Sequence, residues 1–229
     1  MKKTSILRNI MRSIQKTPPA IDYIHKTVIH EPDELQWIKE RILATDWPIH
    51  IAPEEGRLLQ LLIRLGGYKR ILEIGTHAGY STLWMAMALP ENGQIFTIER
   101  DQNRIRMARE TFQHFEEHSS KITLLEGKAL EVLQTLDDHP PFDMVFIDAD
   151  KLNYMNYLNW AEHHVRQGGL IIGDNTFLSG AVYGEPTTDR ISPSALTSVH
   201  EFNQRLGNPA LYVSTMLPTK EGWTMGIKR

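Results

Sequence analysis

Along the chain, short runs of consecutive apolar residues alternate with longer stretches in which apolar side chains recur every three or four positions. The first kind of pattern predicts buried strands and the second predicts amphipathic helices. Strands are expected at 70–74, 94–98, 121–125, 142–147 and 170–173, and helices at 80–89, 101–118, 129–136, 151–164 and 194–206. Two closing strands, 211–216 and 222–227, follow without a long connection and read as a hairpin. Strict alternation of strand and helix implies a doubly wound, mostly parallel seven-stranded sheet of the Rossmann-like α/β class, with an antiparallel C-terminal hairpin. Before it, helical patterns are broken by Pro18-Pro19, Pro32, Pro48 and Pro53. Asp33 is placed to cap the piece in which Leu35, Ile38, Ile42 and Leu43 share a face. A strongly apolar helix at 54–65 then closes on Gly66-Gly67. We therefore read residues 1–53 as an N-terminal helical cap and 54–229 as the main domain.

The first strand, helix and second strand carry the most pointed chemistry. Ile71, Leu72 and Ile74 stop at Gly75, Gly79 follows, and the next strand ends on Glu99. Glycines at a strand-to-helix turn let a ligand approach the backbone, and the helix start offers unpaired N–H groups. A carboxylate on the neighbouring strand can accept ribose hydroxyls, so the unit is built to cradle a nucleoside. An ordinary α/β turn has the same glycines. The Gly75-x-x-x-Gly79 spacing, with Glu73 just before the first glycine, lacks the full dinucleotide fingerprint and favours S-adenosylmethionine over NAD.

Composition removes several other chemistries. There is no cysteine, which excludes disulfides, thiolate metal sites and thiol nucleophiles. A net charge of -3 supplies no general basis for nucleic-acid binding. The basic start is interrupted by Arg8, Asn9 and Arg12, so it forms no signal-peptide core, and nothing later is long enough to span a bilayer. We expect a cytoplasmic protein with no membrane partner, its basic start a solvated or partner-packing helix.

Three polar groups stand at strand ends: Asp148 in FIDAD, and Asp174 with Asn175 in GDNT. Ligands of doubly wound sheets bind outside those ends. Two carboxylates and an amide oxygen suit a Mg²⁺ that keeps open positions for water or substrate oxygens, although single acids at such places also serve as helix caps. Lys151 lies three residues past Asp148. It is either a solvated lysine or, beside a cation that disfavours its ammonium form, a general base.

The runs LEIGTHAGYS, FTIERD, EGKALEVL, FIDADKLNYMNYL, GDNTFLSGAV and MLPTKEGWTMGIKR, in this order and spacing, resemble the cation-dependent O-methyltransferases of the caffeoyl-CoA and catechol type from about Ile49 onward. The resemblance implies an enzyme, with 54–229 as its S-adenosylmethionine-dependent methyltransferase domain. Asp148, Asp174 and Asn175 would bind Mg²⁺ or another divalent cation such as Mn²⁺ or Ca²⁺. Lys151 would be the base. Glu73, Gly75 and the turn of Gly79, Tyr80 and Ser81 would surround the methionine part of the cofactor, Glu99 the ribose, and Ala129 the adenine through its backbone. Ile51 would lend a backbone contact, and Asp148 would serve both cofactor amine and metal as a catalytic group. The acceptor side departs from the plant enzymes: Phe177-Leu178 follow GDNT where those carry a tryptophan, and 184–191 is particular to this chain. That favours a small catechol, flavonoid or other vicinal dihydroxy phenol over a CoA thioester, with Tyr154, His50, Leu178 and Arg190 as candidate pocket walls or structural residues. A homodimer is implied by the N-terminal helices. Two rivals are a methyltransferase acting on RNA or protein, and an NAD-dependent oxidoreductase or binding module on the same fold.

Overall fold

The structure is a computed structural model that describes residues 19–187, 190–219 and 221–229. The expectations for the basic N-terminal segment fall on 1–18, outside the described residues. A seven-stranded sheet is formed by β1 (Arg70–Ile74), β2 (Gln94–Glu99), β3 (Ile122–Glu126), β4 (Phe142–Ile147), β5 (Val165–Gly173), β6 (Tyr212–Leu217) and β7 (Trp223–Lys228) in the order β3-β2-β1-β4-β5-β7-β6. The first five strands are parallel, while β7 runs antiparallel to both β5 and β6. The expected fold class is the one observed.

Because strand side chains alternate between faces, each strand feeds two cores. Ile71, Ile95, Met144, Phe146, Ile172 and Trp223 pack on one side, under helices α2 (Asp33–Leu43), α3 (Pro53–Gly66) and α4 (Tyr80–Ala86). Leu72, Ile74, Phe96, Ile98, Val145 and Ile171 pack on the other, under α7 (Ala129–Gln134), α8 (Tyr154–His164) and α9 (Pro193–Leu206). The remaining helices are α1 (Pro19–Thr27), α5 (Gln102–His114) and the short α6 (Glu116–Ser119). No helix among the described residues is long and apolar enough to cross a membrane.

The N-terminal helices are tied to α3 and α4 by polar contacts as well as by the buried Leu35, Ile38 and Ile42. Glu31 accepts from the Tyr80 hydroxyl and from Lys39 Nζ, both at 2.5 Å, and the His25 ring lies 2.6 Å from Glu54.

Three local expectations need correction. Asp33 is the first residue of α2 and Pro32 occupies the cap without a side-chain bond, since proline's fixed φ already suits a helix entry. The helix expected through His118 breaks at Phe115, whose φ of -117° and ψ of 63° are not helical. The strand expected at 170–173 starts earlier, at Val165, so that Gly168-Gly169 lie inside β5. The register between β4 and β5 slips between Phe142 and Met144, and Gly168 takes a φ of 73°, so the pair marks an irregularity within the strand.

Candidate active site

Three neighbouring strands stop at one level. Ile74 pairs with Ile147 and Ile147 with Gly173, so the next residues, Gly75, Asp148 and Asp174, emerge side by side. Backbone bonds hold that level: Asp148 donates to Ile74 O and Asp174 to Ile147 O, each at 2.9 Å. Gly75 is required here. Its φ is 108°, and a Cβ would lie 2.0 Å from the Asp148 carbonyl oxygen.

Glu73 sits beneath the turn, fully buried, rather than on its open side. Its carboxylate accepts hydroxyl bonds from Ser81 (2.5 Å), Thr82 (2.5 Å) and Thr97 (2.6 Å), and Thr76 in turn lies 2.6 Å from Thr97. These bonds fasten the first turn of α4 to β1 and β2. Burial pushes the Glu73 pKa up to about 7, against the pull of the three hydroxyls. An acid whose folded pKa is raised binds a proton that the unfolded chain has already lost. Stability should therefore fall as pH rises from about 4.5 to about 7, by at most about 3 kcal/mol, and be level above. Glu73→Gln is expected to flatten that descending limb; urea melts across this pH range check it, and an unchanged limb would assign it elsewhere.

Glu99 ends β2 as expected, and it is already busy. His77 N–H donates to Oε2 at 2.9 Å, while Arg100 and Asp101 N–H donate to Oε1 at 2.8 and 2.9 Å. A carboxylate offers about four acceptor sites, so one remains for a ribose hydroxyl unless the turn opens. Tyr80 is buried with its hydroxyl on Glu31, so a ligand in the turn meets its backbone alone. Gly79 takes a φ of 87° and stands against the Phe112 ring. Ile51 is buried ahead of α3, its carbonyl 2.7 Å from His50 Nδ1, and Ala129 opens α7. His77, which the sequence did not single out, has a φ of 52° and a buried Nδ1 without a hydrogen-bond partner.

On the other side of Gly75 lie the acids. Asp174 is buried, and its Oδ1 accepts the Asn175 N–H at 2.6 Å and the Asn175 amide at 3.2 Å, which leaves the Asn175 oxygen for another partner. Burial and the charge of Asp148 hold Asp174 well above the usual carboxylate range, Lys151 opposes them, and Glu55 adds to them. Glu55, also unflagged by the sequence, is buried on the first turn of α3, where it accepts the Ala52 N–H at 2.7 Å. Lys151 begins a 3-10 turn, and its Nζ lies 3.5 Å from Asp148 Oδ1. Among the described residues no three His, Cys, Asp or Glu side chains group as a metal cage, so a cation here would depend on the amide oxygen beside the two aspartates.

The segment after Asp174 is held by Glu221 and Gly222, just ahead of β7. Thr176 and Phe177 N–H donate to the carbonyls of Gly222 and Glu221 at 2.9 Å, and Ser179 lies 3.3 Å from the Glu221 carboxylate. This grip maintains positive φ at Asn175, Leu178 and Ser179. Leu178 and Tyr154 are buried in the second core, as the structural reading of both residues has it. His50 is half-buried against the Tyr80 ring, and Arg190 is exposed.

Comparison with known proteins places this arrangement. A family model described as O-methyltransferase matches residues 27–229. A catechol O-methyltransferase of Niastella koreensis is 37% identical over 198 residues, covering 85% of this chain and 87% of that protein. Caffeoyl-CoA O-methyltransferase 1 of Zea mays is 35% identical over 178 residues, covering 75% and 69%. The crystal structure of the O-methyltransferase TomG from Streptomyces achromogenes in complex with SAM superposes with a TM-score of 0.82 at 32% identity, covering 91% of this chain and 96% of that one.

Proposed function

The chain belongs to the O-methyltransferase family, and from that premise we propose that it moves the methyl group of S-adenosylmethionine to one hydroxyl of a small catechol-like, vicinal dihydroxy phenol, in a reaction dependent on a divalent cation. At the coarser level it is an S-adenosylmethionine-dependent O-methyltransferase of the caffeoyl-CoA and catechol type. The observation that carries the finer reading is the convergence of Asp148, Asp174, Asn175 and Lys151 beside the Gly75 turn.

Asp148, Asp174 and Asn175 fit a Mg²⁺, Mn²⁺ or Ca²⁺ ion by their chemistry: hard oxygen donors, two of them acids whose mutual charge a cation would relieve. When bound, such an ion supplies Lewis acidity that lowers the pKa of a coordinated hydroxyl. S-adenosylmethionine supplies the electrophilic methyl, and the electron pair of its broken S–C bond stays on sulfur. The protein supplies the geometry. Gly75, Gly79 and the backbone of Tyr80 and Ser81 would hold the methionine part, with Glu73 shaping the turn from below. Asp148 would also accept the cofactor's amine, Glu99 a ribose hydroxyl, and the backbone of Ile51 and Ala129 would complete the site. Lys151 would take the acceptor's proton at Nζ as the acceptor oxygen attacks the methyl carbon. Holding the two reactants in line is worth roughly 7 to 11 kcal/mol of the barrier, and no covalent enzyme intermediate is needed.

We further propose that residues 1–53 form a cap over the 54–229 methyltransferase domain and that two copies associate as a homodimer; a monomer mass in light scattering would overturn the second point. The direct test of the reaction uses labelled S-adenosylmethionine with matched vicinal dihydroxy and monohydroxy phenols, in Mg²⁺ and in EDTA. Transfer confined to the diols and abolished by EDTA is expected. Equal transfer to monohydroxy acceptors, or transfer that survives EDTA, would overturn the cation-dependent reading.

A further inference from the structure

We propose that Tyr154 is a positioning residue for Lys151: its buried phenol fixes the lysine Nζ beside Asp148 and ties together the two strand ends that carry the acids. The inference rests on the reading of Lys151 as the group that takes the acceptor's proton.

Tyr154 starts α8 three residues after Lys151, so one turn of chain places the two side chains on the same side. The ring is fully buried and packs against Phe202, with centroids 5.2 Å apart. A phenol hydroxyl in such surroundings must be hydrogen-bonded, and it has a single proton to give. Two carbonyl oxygens are within reach, Asp174 at 2.7 Å and Ile147 at 3.0 Å. These are the last carbonyls before Asn175 and Asp148 respectively, so the hydroxyl bridges the ends of β4 and β5.

With its proton turned to those carbonyls, the phenol oxygen presents lone pairs to Lys151. Nζ donates to it at 2.5 Å and also reaches the Asp174 carbonyl at 3.2 Å and Asp148 Oδ1 at 3.5 Å. The nitrogen further lies 4.5 Å from the centroid of the Tyr154 ring. A lysine on a flexible four-carbon stem is thus fixed by three acceptors, of which the phenol is by far the nearest. Without the hydroxyl only the two long contacts remain. A purely structural phenol would satisfy the same carbonyls but leave turnover untouched when removed.

A double-mutant cycle separates these roles, using full-length Tyr154→Phe, Lys151→Ala and the double variant at saturating Mg²⁺ with a catechol acceptor. Tyr154→Phe is expected to lower kcat about tenfold with the KM for S-adenosylmethionine within about twofold, and to have less than about a twofold effect once Lys151 is alanine. Equal losses in both backgrounds, or no loss in Tyr154→Phe while Lys151→Ala itself loses turnover, would overturn the proposal. A second readout needs no catalysis and, in the wild-type protein, no variant. Reductive methylation with formaldehyde and a borane, followed by peptide mass, should modify Lys151 at least about tenfold more slowly than the exposed Lys128, and Tyr154→Phe should narrow that gap. Equal rates in the wild type would overturn the positioning role even if Tyr154→Phe fails to fold. Unchanged turnover in Lys151→Ala, with Lys151 still protected in the wild type and exposed in Tyr154→Phe, would instead remove the base reading and leave the positioning in place.

Discussion

Gly75→Ala is expected to abolish measurable binding of S-adenosylmethionine and to destabilise the fold by about 3 to 5 kcal/mol, the sum of backbone strain and overpacking against an immovable neighbour. The φ of 108° lies where L side chains rarely go, and the added Cβ would stand 2.0 Å from the Asp148 carbonyl oxygen. That oxygen belongs to backbone, not to a side chain that can swing aside. Relief requires parting β1 from β4, which Asp148 N–H to Ile74 O fastens at 2.9 Å, while Gly75 N–H to Ile98 O at 3.0 Å holds the end of β1 to β2 on its other side. Any such shift also moves Asp148, which the proposed chemistry uses twice. Gly67→Ala supplies the control: φ there is 61° but nothing lies within 4 Å, so only the left-handed backbone cost of roughly 1 to 2 kcal/mol applies. Urea unfolding and titration calorimetry on both variants decide the matter. Wild-type affinity and midpoint in Gly75→Ala would mean that β1 and β4 can separate freely, and that the turn is not the cofactor cradle.

Much of this was legible because the sheet is buried on both faces. Apolar runs such as Phe142–Ile147 stand out against helices with charged outer faces, and acids placed directly after such runs have to lie at strand ends. The site's first members, Asp148, Asp174 and Gly75, therefore follow from strand ends and topology alone. What failed to show depends on contacts between distant segments. The positive φ of Leu178 and Ser179 is maintained by Glu221, more than forty residues away, and no local preference of leucine or serine announces it. Glu99 was readable as a carboxylate at the end of β2, but not as one whose oxygens already serve three backbone N–H groups. The strand expected at 170–173 extends back through Gly168-Gly169 because Val165 still pairs with Phe142 before the register slips. Tyr154 read as either a pocket wall or a structural residue, and no local pattern showed that its ring is buried in the core with its hydroxyl on Lys151. A polar residue within an apolar strand, Thr97 between Phe96 and Ile98, was the available signal for the buried hydroxyl cluster around Glu73.

Lys151→Ala is expected to lower turnover by roughly 10² to 10⁴, the usual contribution of a positioned general base, with affinity for S-adenosylmethionine changed by less than about twofold. The fold should tolerate the change. The lysine side chain is 19% exposed on a short 3-10 turn, and its ion pair with Asp148, at 3.5 Å, is a weak one. The charge balance separates this role from that of a cation ligand. Removing Lys151 takes a positive group away from Asp148 and Asp174, so the site becomes more negative and its attraction for a divalent cation grows. Added Mg²⁺ should then fail to restore activity to Lys151→Ala, whereas it should partly restore Asp174→Ala, in which a ligand is lost and the remaining sites can be filled by mass action. Single-turnover methyl transfer across a Mg²⁺ series in both variants reads the difference. Turnover unchanged in Lys151→Ala at saturating Mg²⁺ would remove the lysine from the chemistry. Recovery with rising Mg²⁺ would place it among the groups that organise the cation, and the proton would then have to leave the acceptor by way of solvent.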